Sequence, residues 1–222
     1  MRHGQSLENI SQAATPNCGL SPLGHIQASL IADFFSNIDV KLIFSSPFRR
    51  AVQTASPLAD AKDVPIVLVP EMSEIFTEFN GAPLKEHYPW EISSQIIKEF
   101  PYSHFRDQYA NDPSWWPEQW PETFEHVRQR TAMFYDHELR SFFATDDHVV
   151  VFGHGASTDT LKQKVCPDTL YPVVVDTNAV IFEYHINTEG VCLQNKMHLE
   201  FLGVHASPKC TAYGEYLLDP LK

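Results

Sequence analysis

Val40-Lys41-Leu42-Ile43-Phe44-Ser45 runs directly into Ser46-Pro47-Phe48-Arg49-Arg50-Ala51-Val52-Gln53-Thr54-Ala55, and the join between these two pieces decides the fold. The first piece is a short apolar run of the kind found in strands buried in a sheet. It ends in Ser-Ser-Pro, so it reads as a strand feeding a helix that starts near Phe48 and carries Arg50 in its first turn. Pro57 lies inside that helix and predicts a kink or an early end. Two arginines at a helix start sit badly with the helix dipole, because cations are disfavoured at that end. The misfit favours a bound anion. Of the pair, Arg49 reads as a surface or rim residue.

The same alternation extends both ways along the chain. Upstream, Ser21-Pro22 supplies an N-cap and a first-turn proline, followed by an apolar stripe at Leu23, Ile26, Leu30, Ile31, Phe34 and Phe35. Downstream, 64–69 is a strand candidate with Glu74 in the loop after it. The segment 122–143 predicts the longest helix, and 148–152 a strand turning through Gly153-His154-Gly155 into a helix near Ser157. Further strands are expected at 173–175, 179–184 and 191–202, with Thr188-Glu189-Gly190 as a hairpin turn. Between them, about 76–121 is rich in proline and aromatics, including Trp90, Trp115, Trp116 and Trp120, and reads as an irregular insertion over one edge of the core. The expectation is α/β: a three-layer sandwich with a mostly parallel sheet flanked by helices, one domain over 1–222.

Bulk properties narrow the function. The 222 residues are 43% hydrophobic with a net charge of −12, which argues against nucleic acid or an anionic membrane as the main partner. No apolar run approaches the ~18–20 residues of a membrane span, and no signal-peptide core is visible. Cys18, Cys166, Cys192 and Cys210 are widely spaced, a pattern read as reduced thiols in a cytoplasmic compartment. A cysteine phosphatase needs an arginine six positions after its cysteine, but those positions hold Gly24, Pro172, His198 and Tyr216. The histidines other than His3 and His154 lack a metal-ligand pattern, so neither metal nor cofactor is expected. No phosphate-binding Gly-rich loop occurs.

Ligands of open α/β sheets bind outside the carboxyl ends of the strands, where loops enter helices. Arg50, Glu74 and His154 all follow strands in this way. With Arg2-His3-Gly4-Gln5-Ser6 at the start, the convergent set holds two imidazoles, two guanidiniums and a carboxylate, which suits phosphoryl transfer without a metal.

Those fragments resemble the histidine phosphatase superfamily, which contains phosphoglycerate mutases and related phosphatases. Arg2 to Ser6 with Asn9 is similar to its opening motif, Leu20-Ser21-Pro22-Leu23-Gly24 with Gln27-Ala28 to the next, and Ser45 to Ala55 to the third. Met72-Ser73-Glu74-Ile75 and Gly153-His154-Gly155-Ala156-Ser157 complete the likeness, which runs to about residue 160. The resemblance implies that His3 is the nucleophile and becomes phosphohistidine. It gives Arg2 and Arg50 the phosphoryl oxygens, His154 a donor role as a second cation or hydrogen-bond donor, and Asn9 and Gly155 the rest of the phosphate cradle. Glu74 would be the general acid/base. The substrate would be a phosphorylated small molecule or phosphoprotein, and a homodimer is possible, since the family includes dimers.

Two departures matter. The motif at Arg2 normally follows a buried strand, and here only Met1 precedes it. The resemblance then implies a truncated form with an unfilled core slot and unpaired backbone groups. The sugar-acid stretch of the mutases is absent, and Glu78-Phe79-Asn80-Gly81 stands roughly where a W-E-G-like segment follows the acid/base glutamate in the family, so hydrolysis is preferred over mutase-like phosphotransfer. A third reading is a phospho-ligand-binding protein that kept the cradle and lost turnover. The four tryptophans either line a pocket for an aromatic leaving group or pack the insertion onto the core.

Overall fold

The computed structural model describes residues 1–75, 77–79, 82–83, 92–106, 121–143, 145–167 and 177–206. Trp90, Trp115, Trp116, Trp120, Cys210 and the strand expected at 173–175 lie outside these residues.

Ser21 caps helix α1 (Pro22–Phe34), its hydroxyl accepting from the Gly24 amide at 3.1 Å. Strand β1 (Val40–Ser45) feeds α2 (Arg49–Lys62), and β2 (Ile66–Leu68) leads through a 3-10 turn (Pro70–Met72) to Glu74. The short pair β3 (Glu78–Phe79) and β4 (Ala82–Pro83) is followed by α3 (Ile92–Glu99) and β5 (Ser103–Phe105). Then come α4 (Phe124–His137), β6 (His148–Phe152), α5 (Gly155–Val165) and the hairpin of β7 (Ile181–Ile186) and β8 (Cys192–His198). The hairpin turn carries Gly190 at φ +82°, a region open to glycine.

The central sheet has the order β5-β2-β1-β6, and all three pairings are parallel. Side chains alternate across a strand, so β1 serves two cores. Ile43 packs with Ile31, Val52, Leu58 and Val150 on the face covered by α1 and α2. Phe44 packs with Phe134, Leu161 and Val165 on the face covered by α4 and α5. Phe44 and Phe134 meet edge to face at 5.1 Å and are fully buried, each contributing roughly 2–3 kcal/mol of apolar burial.

Four expectations need correction. The early end at Pro57 does not occur: helix α2 runs five residues past it, to Lys62, because Leu58 and Ala59 beyond the proline are buried in the core and offset the lost hydrogen bond. The region 76–121 is not merely a cover: β5 within it is an edge strand of the central sheet, and Ile96 and Phe105 are core residues. The segment 122–143 does not form one helix. α4 stops at His137, equals α2 in length at 14 residues, and gives way to a 3-10 turn after Glu138, whose carboxylate pairs with Arg106. Finally, Cys166 and Cys192 form a disulfide with Cα atoms 5.3 Å apart. The fold brings the end of α5 against the start of β8, a proximity that their separation of 26 residues does not reveal. Among the described residues Cys18 is free and buried.

Met1 to His3 form a stub between two strands. The His3 amide donates to Gly153 O at 3.0 Å and the Gly153 amide to Met1 O at 2.9 Å, parallel to β6. On the other side the Arg2 amide donates to Val180 O at 3.3 Å and the Ala179 amide to His3 O at 3.0 Å. Beyond the stub, β6 and β7 line a cavity of about 620 Å³ floored by Met1, Phe35, Val149, Leu161, Ile181 and Tyr184. Among the described residues no helix is long and apolar enough to cross a membrane.

Candidate active site

The carboxyl ends of β1, β2 and β6 meet the stub at one end of the sheet, and the site lies there. Its floor requires glycine. A Cβ on Gly4 would meet Gly24 O at 2.8 Å, and one on Gly24 would meet Gln5 O at 2.0 Å, so the opening loop and the start of α1 touch backbone to backbone. The Gly4 amide donates to Thr54 Oγ1 at 3.0 Å, and that hydroxyl donates to Arg50 O at 2.6 Å. The loop is thus tied to the first turn of α2.

His3 is buried and its tautomer is set. Nδ1 donates to Gly4 O at 2.6 Å, which leaves the Nε2 lone pair to accept from Arg50 Nε at 3.3 Å. Arg50 also donates to Pro16 O at 2.9 Å and faces Glu8 at 3.5 Å. The cation misplaced at a helix N-terminus therefore has an internal counter-charge. Its guanidinium stacks over Phe48 at 4.7 Å. Arg49 instead pairs with Glu99 and is partly exposed, as expected of a rim residue.

His154 is the N-cap of α5. Its ring lies 5.0 Å from that of His3 and 5.0 Å from Phe48, and Nε2 meets Ser46 Oγ at 2.8 Å. The buried Nδ1 has no hydrogen-bond partner among the described residues. Glu74 Oε1 accepts from the Ile75 amide at 3.0 Å and the Ala156 amide at 3.2 Å, which seats the carboxylate against the first turn of α5 beside Gly155. Arg2 is buried in the stub. Asn9 reaches the site by its oxygen, which accepts from Ser6 and, at 3.0 Å, from Asn178 Nδ2. Arg2, His3, Arg50, Glu74, His154 and Gly155 are brought together, and Asn9 supports the loop from behind. Ser46, Thr54 and Asn178 were missed. Ser46 and Thr54 lie inside the quoted motif and differ from ordinary helix-start residues only in position. Asn178 donates to His3 O at 3.3 Å and Gly4 O at 3.4 Å from beside Ala179. Ala179 holds a left-handed φ of 61°, unusual for alanine. Among the described residues no cluster of His, Cys, Asp and Glu could hold a metal.

Residues 1–169 match the model of the histidine phosphatase superfamily, branch 1. The chain belongs to that superfamily. It is accordingly a phosphatase by family. Over 199 residues this histidine phosphatase is 29% identical to the Hydrogenobacter thermophilus protein named "Putative phosphoserine phosphatase 2", covering 85% of this chain and 89% of that one. Among solved structures, Bacillus stearothermophilus YhfR superposes with a TM-score of 0.57 at 18% identity, covering 86% of this chain and 91% of that one. The mycobacterial glucosyl-3-phosphoglycerate phosphatase gives 0.53 at 22%, covering 89% and 94%. These two likenesses bear on the fold, which is the phosphoglycerate mutase-like one.

Electrostatics set the resting state of this histidine phosphatase. Burial, then Arg50 and Arg2, hold His3 well below its usual 6.5, although the hydrogen bond to Gly4 opposes them. Burial, Arg50 and His3 do the same to His154, so its ring rests neutral. The Met1 amine donates to Val151 O at 2.6 Å in the cavity wall, and burial with Lys162 lowers it from 8.0 to about 5. All three groups bind protons more readily in the unfolded chain, so folding stability must fall as pH falls. The amine contribution is complete above pH 8 and is lost towards pH 5, on the order of 4 kcal/mol. The histidine contributions are lost below about 6.5. Urea midpoints at pH 8, 6.5 and 5.5 are expected to decrease in that order, and a flat series contradicts the buried-amine geometry.

Proposed function

We propose that the chain hydrolyses phosphomonoesters through a phosphohistidine on His3, without a metal, and that Glu74 is the general acid/base. The observation that carries this reading is the fixed tautomer of His3, which presents the Nε2 lone pair to Arg50, where an incoming phosphoryl group would be held. Nε2 attacks phosphorus, the P–O bond to the leaving group breaks, and Glu74 gives that oxygen its proton. Water then attacks, the P–N bond breaks, and its proton passes to Glu74, releasing inorganic phosphate. Arg2 and Arg50 stabilise the equatorial oxygens, as electrostatic positioning dominates phosphoryl transfer. When the Ser46 hydroxyl donates to His154 Nε2, the His154 proton sits on Nδ1 and is available to a phosphoryl oxygen. Asn9 and the amides near Gly155 complete the cradle.

The substrate class is a phosphorylated small molecule, with phosphoserine first to try because of the Hydrogenobacter relative. A cytoplasmic location fits poorly with the Cys166–Cys192 disulfide, since cytosolic thiols are kept reduced. A second reading is a binding protein with the cradle but without turnover. Hydrolysis of para-nitrophenyl phosphate in EDTA separates the two. Turnover with an acid-labile, base-stable phosphoenzyme supports the first, and phosphate binding by a folded chain without turnover supports the second.

A further inference from the structure

Arg130 lies on α4 outside every motif discussed so far, yet all five of its N–H donors are used. Nε and Nη2 donate to the two carboxylate oxygens of Glu122 at 2.8 and 3.1 Å. Nη1 donates to Glu71 O at 2.5 Å and Ser73 O at 2.9 Å, and Nη2 also donates to Glu74 O at 3.1 Å. Three backbone carbonyls from four consecutive residues therefore converge on one buried guanidinium. Buried carbonyls aimed at one point repel unless a donor satisfies them, so the turn after β2 owes its shape to this cation. The same turn is held elsewhere by Ser157 Oγ, which donates to Met72 O at 2.8 Å, and by Arg106, which pairs with the Glu71 carboxylate. It ends at the Glu74 carboxylate against α5.

We propose that Arg130 is a positioning residue that fixes the Glu71–Glu74 turn and so sets Glu74 for proton transfer to the leaving oxygen. The proposal rests on the reading of Glu74 as general acid. Only a planar fork with five donors reaches all these acceptors, and lysine supplies at most three.

Leaving-group chemistry tests it, because kcat/KM reports the steps up to transfer onto His3, where an alkyl leaving group needs the acid and a nitrophenolate does not. With phosphoserine, kcat/KM of Arg130→Met is expected to fall about a hundredfold, the cost of misplacing a catalytic group by ~1 Å. With para-nitrophenyl phosphate it is expected to fall less than about threefold. Glu74→Gln should show the same asymmetry, and the double variant should be no worse than Glu74→Gln alone. Equal losses on both substrates in Arg130→Met, with the asymmetry intact in Glu74→Gln, overturn the proposal and leave Arg130 a structural residue. Absence of the asymmetry in Glu74→Gln overturns the reading of Glu74 itself. Arg130→Met strands the Glu122 carboxylate, so Arg130→Lys is the second variant. It keeps the charge and should give an intermediate asymmetry, and none in a folded Arg130→Lys counts against the proposal. For a chain without turnover, hydrogen exchange at the Met72, Ser73 and Ile75 amides decides: faster exchange in the variant is expected, and unchanged exchange overturns the proposal.

Discussion

His3→Ala is expected to reduce para-nitrophenyl phosphate turnover on the order of 10⁴-fold or more and to abolish the acid-labile phosphoenzyme, because on the proposed mechanism the covalent route disappears with its nucleophile. His3 is a neutral ring buried next to two guanidiniums, an environment that opposes its protonation. Removing it also removes a group that binds protons more readily when unfolded. The variant should therefore lose less stability than the parent between pH 7 and 5, whatever the loss of its buried hydrogen bonds costs at pH 8. Residual phosphoenzyme in His3→Ala, detected by phosphate labelling, would move the nucleophile elsewhere, and neutral buried His154 at 5.0 Å would be the first place to look.

Arg50→Met is expected to lower kcat/KM by about 10²- to 10³-fold and to weaken inhibition by inorganic phosphate in parallel. On the proposed mechanism a charge-assisted donor to the phosphoryl group is lost while most of the volume is kept. A second effect distinguishes this from simple loss of binding. Arg50 is, after burial, the largest influence holding His3 below its usual 6.5. Without it the imidazole becomes more basic, so a larger fraction of His3 is protonated and unreactive in mild acid. The acid limb of kcat/KM should move to higher pH. An acid limb that stays in place would mean that Arg50 does not act on the ring it touches at 3.3 Å. Glu8 faces the same guanidinium at 3.5 Å with an exposed side chain, so a phosphate bound as proposed would take over a cation already partly neutralised.

The parts of the fold legible in the sequence were those where burial on both faces forces an apolar run and a turn residue ends it. β1 into α2 and β6 into α5 are of this kind, and they carry Arg50 and His154. What escaped was decided by tertiary contact. Ser103-His104-Phe105 is too short and too polar to announce an edge strand, and only pairing with β2 makes it one. Pro57 obeys the packing of Leu58 and Ala59 rather than its own preference. The disulfide depends on α5 meeting β8. Arg130 sits in a charged helical stretch that looks solvated, and its partners are 8 residues away at Glu122 and more than 50 away in the turn it holds.

The space between β6 and β7 has a consequence of another kind. Hydrostatic pressure favours whichever state occupies less total volume, and any part of the partly open cavity of about 620 Å³ that stays dry against its apolar wall surrenders that volume on unfolding. Both core clusters reach its walls through Phe35 and Val150 on one face and Leu161 and Val165 on the other, so compression acts on the two layers together. The molecule should yield to kilobars well before its helices or its parallel sheet would suggest.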